Sequence, residues 1–572
     1  MRPVQAVVFW PLRSITNFRP IYGRLPGTSY SKDFLQCSGT SRETLDAVLG
    51  GGVGPVPITY QWPGGTGQSG TWRPSAVAGD NRGQLAWTPS STPPEPWKLG
   101  DPGVDSTKTI AGNPTLATEA DADAEHAQIV AAGTNPWLLA VKLVDEERVL
   151  HTRVCLENPP PGLESRSIDL LPPPLQAAMR ALPASRGSGG WIAHGASGVR
   201  APEIVKQVQE ALSRGPNVLL TGPPGTGKTV ALEDIAALYS TDYLFNPNQW
   251  DDAWGIATGG RRAVSLVFHP SYSYENFVAS LVPAPASSGG GGVSLKAQPG
   301  PLLSMAHWCG SPDRQGLIVI DEFNRAPTAA VFGDILALLD GEKRTGGASQ
   351  GVQIVRAFPD EDMHVDNDYA DASGNTSIPK QIGLPQSLKI VAALNSSDRS
   401  VAPLDAALRR RFEVVEVPPD ISVLARHLGS AIPDTTTAFI EPNPWTLDGV
   451  HELALRVLLV LNERITQLLG ADFALGHALF WGVKGSGFGD TADNLVAAFE
   501  GRVLATLRAT FVDQEDALAA VLNIGPTLPG SLGEWRDATG PIATVAPRRL
   551  VFKRLSGLSS IEDRLAAIKS VL

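Results

Sequence analysis

A glycine-rich segment carries the residues whose types and spacing most clearly indicate a chemistry. It lies between an apolar run and an amphipathic run, and it consists of Gly222, Pro223, Pro224, Gly225, Thr226, Gly227, Lys228 and Thr229. Glycines allow consecutive backbone N–H groups to point at phosphate oxygens, and a helix that begins at the end of the segment adds its partial positive charge. The Lys228 ammonium can reach the β- and γ-phosphates, and the Thr229 hydroxyl can ligate Mg²⁺. The spacing therefore predicts a site for a nucleoside triphosphate with magnesium.

Two carboxylates end a second apolar run, GLIVIDEFNRA at residues 316–326. Asp321 and Glu322 follow its apolar residues directly. Ligands of open α/β sheets bind at the carboxyl ends of the strands, so this pair is expected to face the glycine-rich segment. Asp321 would hold magnesium through water, and Glu322 would polarise the attacking water. Many strands end in solvated carboxylates, but the position of this pair along the chain favours the functional interpretation.

Two more polar features lie further along the chain. Asn395 ends the run LKIVAALN, where its amide could hydrogen-bond both the γ-phosphate and the attacking water. A turn that closes a strand is the alternative interpretation of that position. Arg409, Arg410 and Arg411 are consecutive, and one of them at most can face the core of its own domain. A guanidinium that reaches the γ-phosphate of a neighbouring subunit would act as an arginine finger and would require assembly; the alternative is a solvated basic turn.

The elements that must position these residues follow from the apolar patterning. Five short runs (NVLLTG, AVSLVFH, GLIVID, LKIVAAL and FEVVEV) alternate with longer segments over residues 201–420, which predicts a parallel sheet covered on both faces. Apolar residues with helical spacing predict an α-helical domain over 421–572. Residues 1–183 are rich in Gly, Pro and Trp and predict a mixed, mainly β domain with a hairpin at 137–157. Residues 184–200 are expected to be a flexible linker.

Composition excludes several classes of protein. The chain has 572 residues, too many for one core, and its 42% hydrophobic and 18% charged residues are ordinary for a globular protein. Cys37, Cys155 and Cys309 lie far apart without a CxxC spacing, which argues against a zinc site or a disulfide framework and fits a reducing compartment. No apolar window is long enough for a membrane span, so a cytoplasmic protein is expected. The net charge is −11, so nucleic-acid binding would need a local basic patch.

The order of these motifs resembles that of AAA+ P-loop ATPases, and four segments narrow the resemblance. They are FHPSYSYENFVASLVP (268–283), DEFNRAPTAAVFGDILALLDGEKR (321–344), LNSSDRSVAPLDAALRRRF (394–412) and LNERITQLLGADFALGHALF (461–480). Together they are similar to the McrB family, the NTPase motor subunits of modification-dependent restriction systems. The resemblance covers roughly residues 205–525 and implies an α/β AAA+ domain followed by an α-helical lid.

The resemblance also implies roles for particular residues. Asn395 would be the sensor, and Arg409 and Arg410 would be the arginine fingers of a ring oligomer, expected to be a hexamer. His477 would approach the nucleotide from the lid. Asp398 and Arg399 would belong to a loop that a McrC-like nuclease partner engages. Mg²⁺ would be the cofactor, and ATP or GTP the substrate of a motor in restriction and antiviral defence.

Three departures from the family pattern remove no functional group: Phe323 replaces Ile, Leu394 replaces Met, and Ser396-Ser397 replaces Thr-Ala. Residues 1–183 resemble no known domain that reads modified bases, so DNA binding through this region is one expectation among others. Two alternatives therefore stay open. One is a MoxR-like AAA+ chaperone that remodels proteins, and the other is a scaffold that binds nucleotide only as a structural ligand.

Overall fold

The computed structural model describes residues 2–19, 34–49, 54–75, 77, 80–89, 118–144, 146, 148–159, 161–183, 187–193, 200–239, 243–250, 253–256, 260–285, 293–312, 314–346, 351–397, 404–525, 532–540 and 548–572. All helices and strands below lie within these ranges.

The first part of the chain is built on a large sheet. Its strands are β1 (Arg2–Pro11), β2 (Phe34–Ser38), β3 (Val56–Gln61), β4 (Gln68–Pro74), β5 (Arg82–Trp87), β6 (Pro136–Leu143), β7 (Val149–Leu156) and β8 (Gly189–Ile192). The helices are α1 (Ile15–Phe18), α2 (Thr40–Leu49), α3 (Glu119–Ala132) and α4 (Pro173–Arg180). This confirms the mixed, mainly β character, and the antiparallel pair β6 and β7 confirms the predicted hairpin.

The middle of the chain alternates strands with helices. The strands are β9 (Asn217–Gly222), β10 (Tyr243–Phe245), β11 (Trp254–Ile256), β12 (Arg261–Val267), β13 (Ala279–Pro285), β14 (Val293–Pro299), β15 (Gln315–Asp321), β16 (Ile354–Val355), β17 (Gln381–Ile382), β18 (Leu388–Asn395) and β19 (Glu413–Glu416). The helices are α5 (Pro202–Arg214), α6 (Lys228–Leu238), α7 (Tyr274–Phe277), α8 (Pro301–Cys309), α9 (Thr328–Phe332) and α10 (Ala406–Arg409).

Five of these strands form a parallel sheet in the order β12-β15-β18-β9-β19. They correspond to the five apolar runs of the sequence, so the predicted α/β fold is confirmed. The three central strands, β15, β18 and β9, are largely buried, as expected for a parallel sheet covered by helices. The edge strands β12 and β19 are partly exposed. β13 pairs with β14, and β16 pairs with β17, as two separate two-stranded antiparallel sheets outside this one.

The last part of the chain is helical. Its helices are α11 (Ile421–Leu428), α12 (Leu447–Leu469), α13 (Phe488–Ala498), α14 (Leu504–Thr510), α15 (Glu515–Val521) and α16 (Ile561–Lys569), and a hairpin of β20 (Gly533–Asp537) and β21 (Arg548–Phe552) accompanies them. One hydrophobic core, which includes Leu453, Leu495 and Leu565, joins these helices. The α-helical domain expected from the apolar spacing is present.

The first two parts of the chain share structure. β10 and β11, which follow α6, extend the large sheet beyond β1. A single hydrophobic core contains Phe9 and Trp137 of the large sheet together with Val205 of α5 and Ile235 of α6. The helix that follows the glycine-rich segment is therefore packed against the N-terminal part, while the domain boundaries themselves stay a prediction.

Part of the predicted linker is ordered structure. Residues 189–192 form β8, which pairs antiparallel with β1. A Cβ atom on Gly189 would lie 2.5 Å from the Phe9 ring, and one on Gly190 would lie 2.2 Å from Thr44 Oγ1. These glycines therefore serve close packing rather than flexibility, which the composition of the segment could not indicate. Among the described residues, no helix is both long enough and apolar enough to cross a membrane.

Candidate functional site

The glycine-rich segment forms the turn between β9 and α6. Gly225 and Gly227 have φ angles of 77° and 91°, in the region that favours glycine. A Cβ atom on Gly222 would lie 2.3 Å from the carbonyl oxygen of Val417, so this position also requires glycine. The Thr226 hydroxyl donates to the Pro223 carbonyl at 3.1 Å and closes the turn. The sequence thus forms a tight backbone loop at the carboxyl edge of the parallel sheet.

The Lys228 side chain folds back into this loop. It is 6% exposed, and its Nζ donates to the carbonyl oxygens of Gly222 at 2.9 Å and Pro223 at 2.7 Å. Burial lowers the pKa of Lys228 to about 8, although the nearby Asp321 and Glu322 carboxylates act to raise it. The ammonium is therefore held at the loop, where phosphate oxygens could replace the two carbonyls.

Thr229 and Asp321 meet above the first turn of α6. The Thr229 hydroxyl donates to Asp321 Oδ2 at 2.8 Å, and Asp321 Oδ1 accepts from the Glu322 backbone N–H at 2.8 Å. The two predicted magnesium ligands, which are separated along the chain, are thus in contact. Their oxygen atoms are the donors that Mg²⁺ prefers.

Glu322 lies directly beyond the end of β15. Its φ and ψ angles are 53° and 42°, a left-handed conformation that costs a non-glycine residue about 1–3 kcal/mol and is frequent at functional sites. Both carboxylate oxygens lie 3.3 Å from Nδ2 of Asn395, and Oε2 also accepts from Nε of Arg325 at 2.9 Å. The predicted base and the predicted sensor therefore face each other.

The register of the sheet explains this convergence. Asn395 is the parallel partner of Gly222, and the Ser396 N–H donates to the Gly222 carbonyl at 3.1 Å. β18 lies between β9 and β15, and the last residue of β15 is Asp321. Three adjacent strands therefore end at the same edge, each with a residue of the predicted site.

The lid contacts the glycine-rich loop directly. The Ala478 N–H donates to the Gly225 carbonyl at 3.0 Å, and a Cβ atom on Gly476 would lie 2.2 Å from the Pro224 carbonyl. His477 is buried, and its Nδ1 accepts from the Asp420 N–H at 3.2 Å. Burial lowers the pKa of His477, so its neutral form, which accepts this hydrogen bond, is favoured. The structure thus places His477 beside the loop, as a residue that seats the lid.

The three arginines take two orientations. Arg409 ends α10 and Arg410 follows it, and both are exposed. The Arg411 side chain is 12% exposed, lies 3.3 Å from Asp340 Oδ1, and donates to the Ala407 carbonyl. This geometry leaves Arg409 and Arg410 as the candidates for contact with a neighbouring subunit. Asp398 and Arg399 of the predicted partner loop lie outside the described residues.

Two contacts of the site are not predicted from the sequence. One is the Arg325–Glu322 ion pair, which the i, i+3 spacing within DEFNR could have suggested. The other is the close approach of Gly476 to the loop, for which the sequence holds no local signal because the two segments are far apart along the chain.

Comparison with known proteins agrees with this geometry. Residues 217–412 match the family model described as AAA domain (dynein-related subfamily), and residues 454–519 match the model described as McrB, alpha-helical lid domain.

Two relatives are components of restriction enzymes. The chain is 25% identical over 280 residues to the type IV methyl-directed restriction enzyme EcoKMcrB subunit of Escherichia coli (strain K12), which covers 48% of this chain and 50% of that protein. It is 26% identical over 225 residues to the type II restriction enzyme BsuMI component YdiS of Bacillus subtilis (strain 168), covering 35% of this chain and 57% of that protein. The matches thus span about half the length of each relative.

A solved structure, that of C. elegans PCH-2, is 15% identical and covers 53% of this chain and 69% of that one. The TM-score of this match is 0.23.

The contact between lid and loop gives a direct test. Gly476→Ala introduces a Cβ atom 2.2 Å from the Pro224 carbonyl, although the backbone at Gly476 (φ −67°, ψ 143°) suits any residue. We expect this overpacking to lower the free energy of unfolding by about 1–3 kcal/mol, measured by chemical denaturation. Gly489→Ala is the control, because a Cβ atom there meets nothing within 4 Å and the residue lies inside α13, where alanine is well tolerated. Equal stability of the two variants would contradict the lid contact.

Proposed function

Because the chain is an McrB-type AAA+ protein, we propose that it is the nucleoside triphosphate-hydrolysing motor of a restriction system. The observation that carries this proposal is the convergence of Lys228, the Thr229–Asp321 pair and the Glu322–Asn395 pair at one edge of the sheet. A structural nucleotide-binding scaffold would need the phosphate loop but not a carboxylate base facing a sensor amide.

The residues present fit a magnesium ion. The Thr229 hydroxyl and the Asp321 carboxylate are paired oxygen donors beside the loop. Among the described residues, no cluster of three or more His, Cys, Asp or Glu side chains could hold a metal ion by itself. Magnesium takes one or two protein oxygens and completes its coordination with phosphates and water. When bound, it would neutralise charge on the β- and γ-phosphates.

The other groups would divide the work of hydrolysis. The loop N–H groups and Lys228 would hold the phosphates, and Asn395 would orient the attacking water against the γ-phosphorus. The water oxygen forms a new bond to phosphorus, its proton passes to the Glu322 carboxylate, and the bond from phosphorus to the bridging oxygen breaks. The products are a nucleoside diphosphate and inorganic phosphate. ATP and GTP both satisfy these contacts, because none of the contacts is made to the nucleobase.

We propose that the active form is a ring, most simply a hexamer. Arg409 and Arg410 are exposed at the end of α10, and nothing in the described part of the chain pairs with their side chains. Such guanidinium groups can stabilise transition-state charge on the γ-phosphate of an adjacent subunit. The site would then be completed only by assembly.

We further propose that the N-terminal part recognises the target and that a McrC-like nuclease supplies cleavage. Both relatives named above are restriction-enzyme components, which supports this proposal. The free, buried Cys37, Cys155 and Cys309 accord with the reducing cytoplasm in which such a system works. A protein-remodelling ATPase of the MoxR type remains the alternative, because the net charge of −11 gives no overall attraction to DNA.

Two substitutions separate nucleotide binding from hydrolysis. Lys228→Ala removes the ammonium that would meet the β- and γ-phosphates, and it should abolish binding of a fluorescent triphosphate analogue. Glu322→Gln keeps the side-chain shape without the base, and it should bind the analogue like the wild type but release phosphate at least about 10²-fold more slowly. Rapid phosphate release by Glu322→Gln would contradict the assigned role.

Mixing inactive variants tests assembly. Alanine at Arg409 or Arg410 should lower kcat by about 10³-fold or more if that residue is the finger, with nucleotide binding intact. Mixing this variant with Lys228→Ala should restore activity, because a subunit with an intact loop can then meet a neighbour with intact arginines. Arg411→Ala is the matched control, and it should lower stability by breaking the Asp340 pair. Failure of every mixture to recover activity would contradict a shared site.

Target recognition is tested with the full chain. Electrophoretic mobility shifts should show tighter binding to a methylated duplex than to the unmethylated duplex of the same sequence. This preference should persist in Glu322→Gln, because recognition is assigned to residues 1–183. No binding to either duplex would favour the protein-remodelling alternative.

A further inference from the structure

Arg325 lies beside Glu322 at the end of β15. It closes a short 3₁₀ turn, Phe323–Arg325, that begins directly after Glu322. The Arg325 N–H donates to the Glu322 carbonyl at 2.9 Å, and this turn brings the guanidinium back over the carboxylate. Nε of Arg325 then lies 2.9 Å from Oε2 of Glu322.

The contact places Glu322 in an arrangement unsuited to taking a proton. Oε2 accepts from Arg325, while Asn395 Nδ2 is equidistant, at 3.3 Å, from both carboxylate oxygens. A general base must direct a lone pair at its water within hydrogen-bond distance. Both partners of the carboxylate therefore compete with that water.

Aromatic packing helps to hold this turn in place. Phe323 is fully buried, and its ring packs against Phe268 at 5.8 Å, Phe412 at 5.4 Å and Phe332 at 6.1 Å between ring centroids. These contacts fix the backbone on which Glu322 and Arg325 stand. The Arg325 and Glu322 side chains are 45% and 29% exposed, so their ion pair is weak enough to open during turnover.

We propose that Arg325 is a positioning residue that restrains hydrolysis: its ion pair holds the Glu322 carboxylate away from the attacking water and must open for each turnover. This inference rests on the proposed function, because it takes Glu322 as the base. Arg325 thus acts by holding the Glu322 carboxylate and not by contacting the phosphates.

The test compares steady-state phosphate release by the full-length wild type, Arg325→Ala and Arg325→Lys with magnesium and ATP or GTP. Arg325→Ala should raise kcat by about twofold to fivefold, the range expected for loss of an exposed ion pair. KM should be unchanged, because the role proposed for Arg325 is to position Glu322 and not to bind the triphosphate. Arg325→Lys keeps a cation at this position, so its kcat should return towards the wild-type value.

Arg214→Ala is the matched control, since it removes an exposed arginine from an ion pair with Glu413 in the same region and leaves Glu322 untouched. It should leave kcat unchanged. The double variant Glu322→Gln/Arg325→Ala should be as slow as Glu322→Gln alone. Without the Glu322 carboxylate, loss of the ion pair frees no catalytic base. Unfolding midpoints would show whether the Arg325 variants are folded.

The outcomes separate this inference from the function on which it rests. If the wild type is active and Glu322→Gln is inactive, but the kcat of Arg325→Ala is unchanged or lower, the restraining role of Arg325 is overturned. The proposed function then stands. The same increase in Arg214→Ala would also overturn the restraining role. A wild type that releases no phosphate, or a fully active Glu322→Gln, would overturn both.

Discussion

The buried positive charge of Lys228 is the constraint around which the site is organised. A charge removed from water without a partner costs several kcal/mol, so its ammonium must find acceptors inside the protein. Those acceptors are the carbonyls of Gly222 and Pro223, which point at Nζ because the loop turns through glycines. A triphosphate can enter only by offering better acceptors than these two carbonyls, so phosphate binding exchanges one set of hydrogen bonds for another.

The remaining polar groups of the site are also paired within the chain. The Thr229 hydroxyl is held by Asp321, and the Glu322 carboxylate is held by Asn395 and Arg325. The Thr229–Asp321 and Glu322–Asn395 contacts join the ends of different strands or helices, and the Glu322–Arg325 contact lies within one short turn. The lid rests on the same loop through Ala478, which links nucleotide entry to the position of the helical part of the chain. Each reactive group of the site is therefore held by a hydrogen-bond partner within the chain.

The sequence was sufficient to predict what depends on local pattern. The five runs of the parallel sheet, the loop that follows the first of them and the polar residues that follow three of them were all predicted, because strand ends converge at one edge of such a sheet. Long-range packing could not be predicted. Arg411 turns inward because Asp340, distant along the chain, lies beside it, and no pattern in three consecutive arginines distinguishes it from Arg409. The addition of β10 to the large sheet likewise depends on its pairing with Arg2 and Pro3 of β1, more than 200 residues earlier in the chain.

The central claim is that residues 222–229 hold a triphosphate by this exchange of acceptors. A crystal or cryo-electron microscopy structure with a slowly hydrolysed triphosphate and magnesium tests it most directly. The account predicts phosphate oxygens within hydrogen-bond distance of Lys228 Nζ, with the Gly222 and Pro223 carbonyls released from it. A nucleotide bound elsewhere, or an ammonium that stays on both carbonyls beside a bound nucleotide, would contradict it.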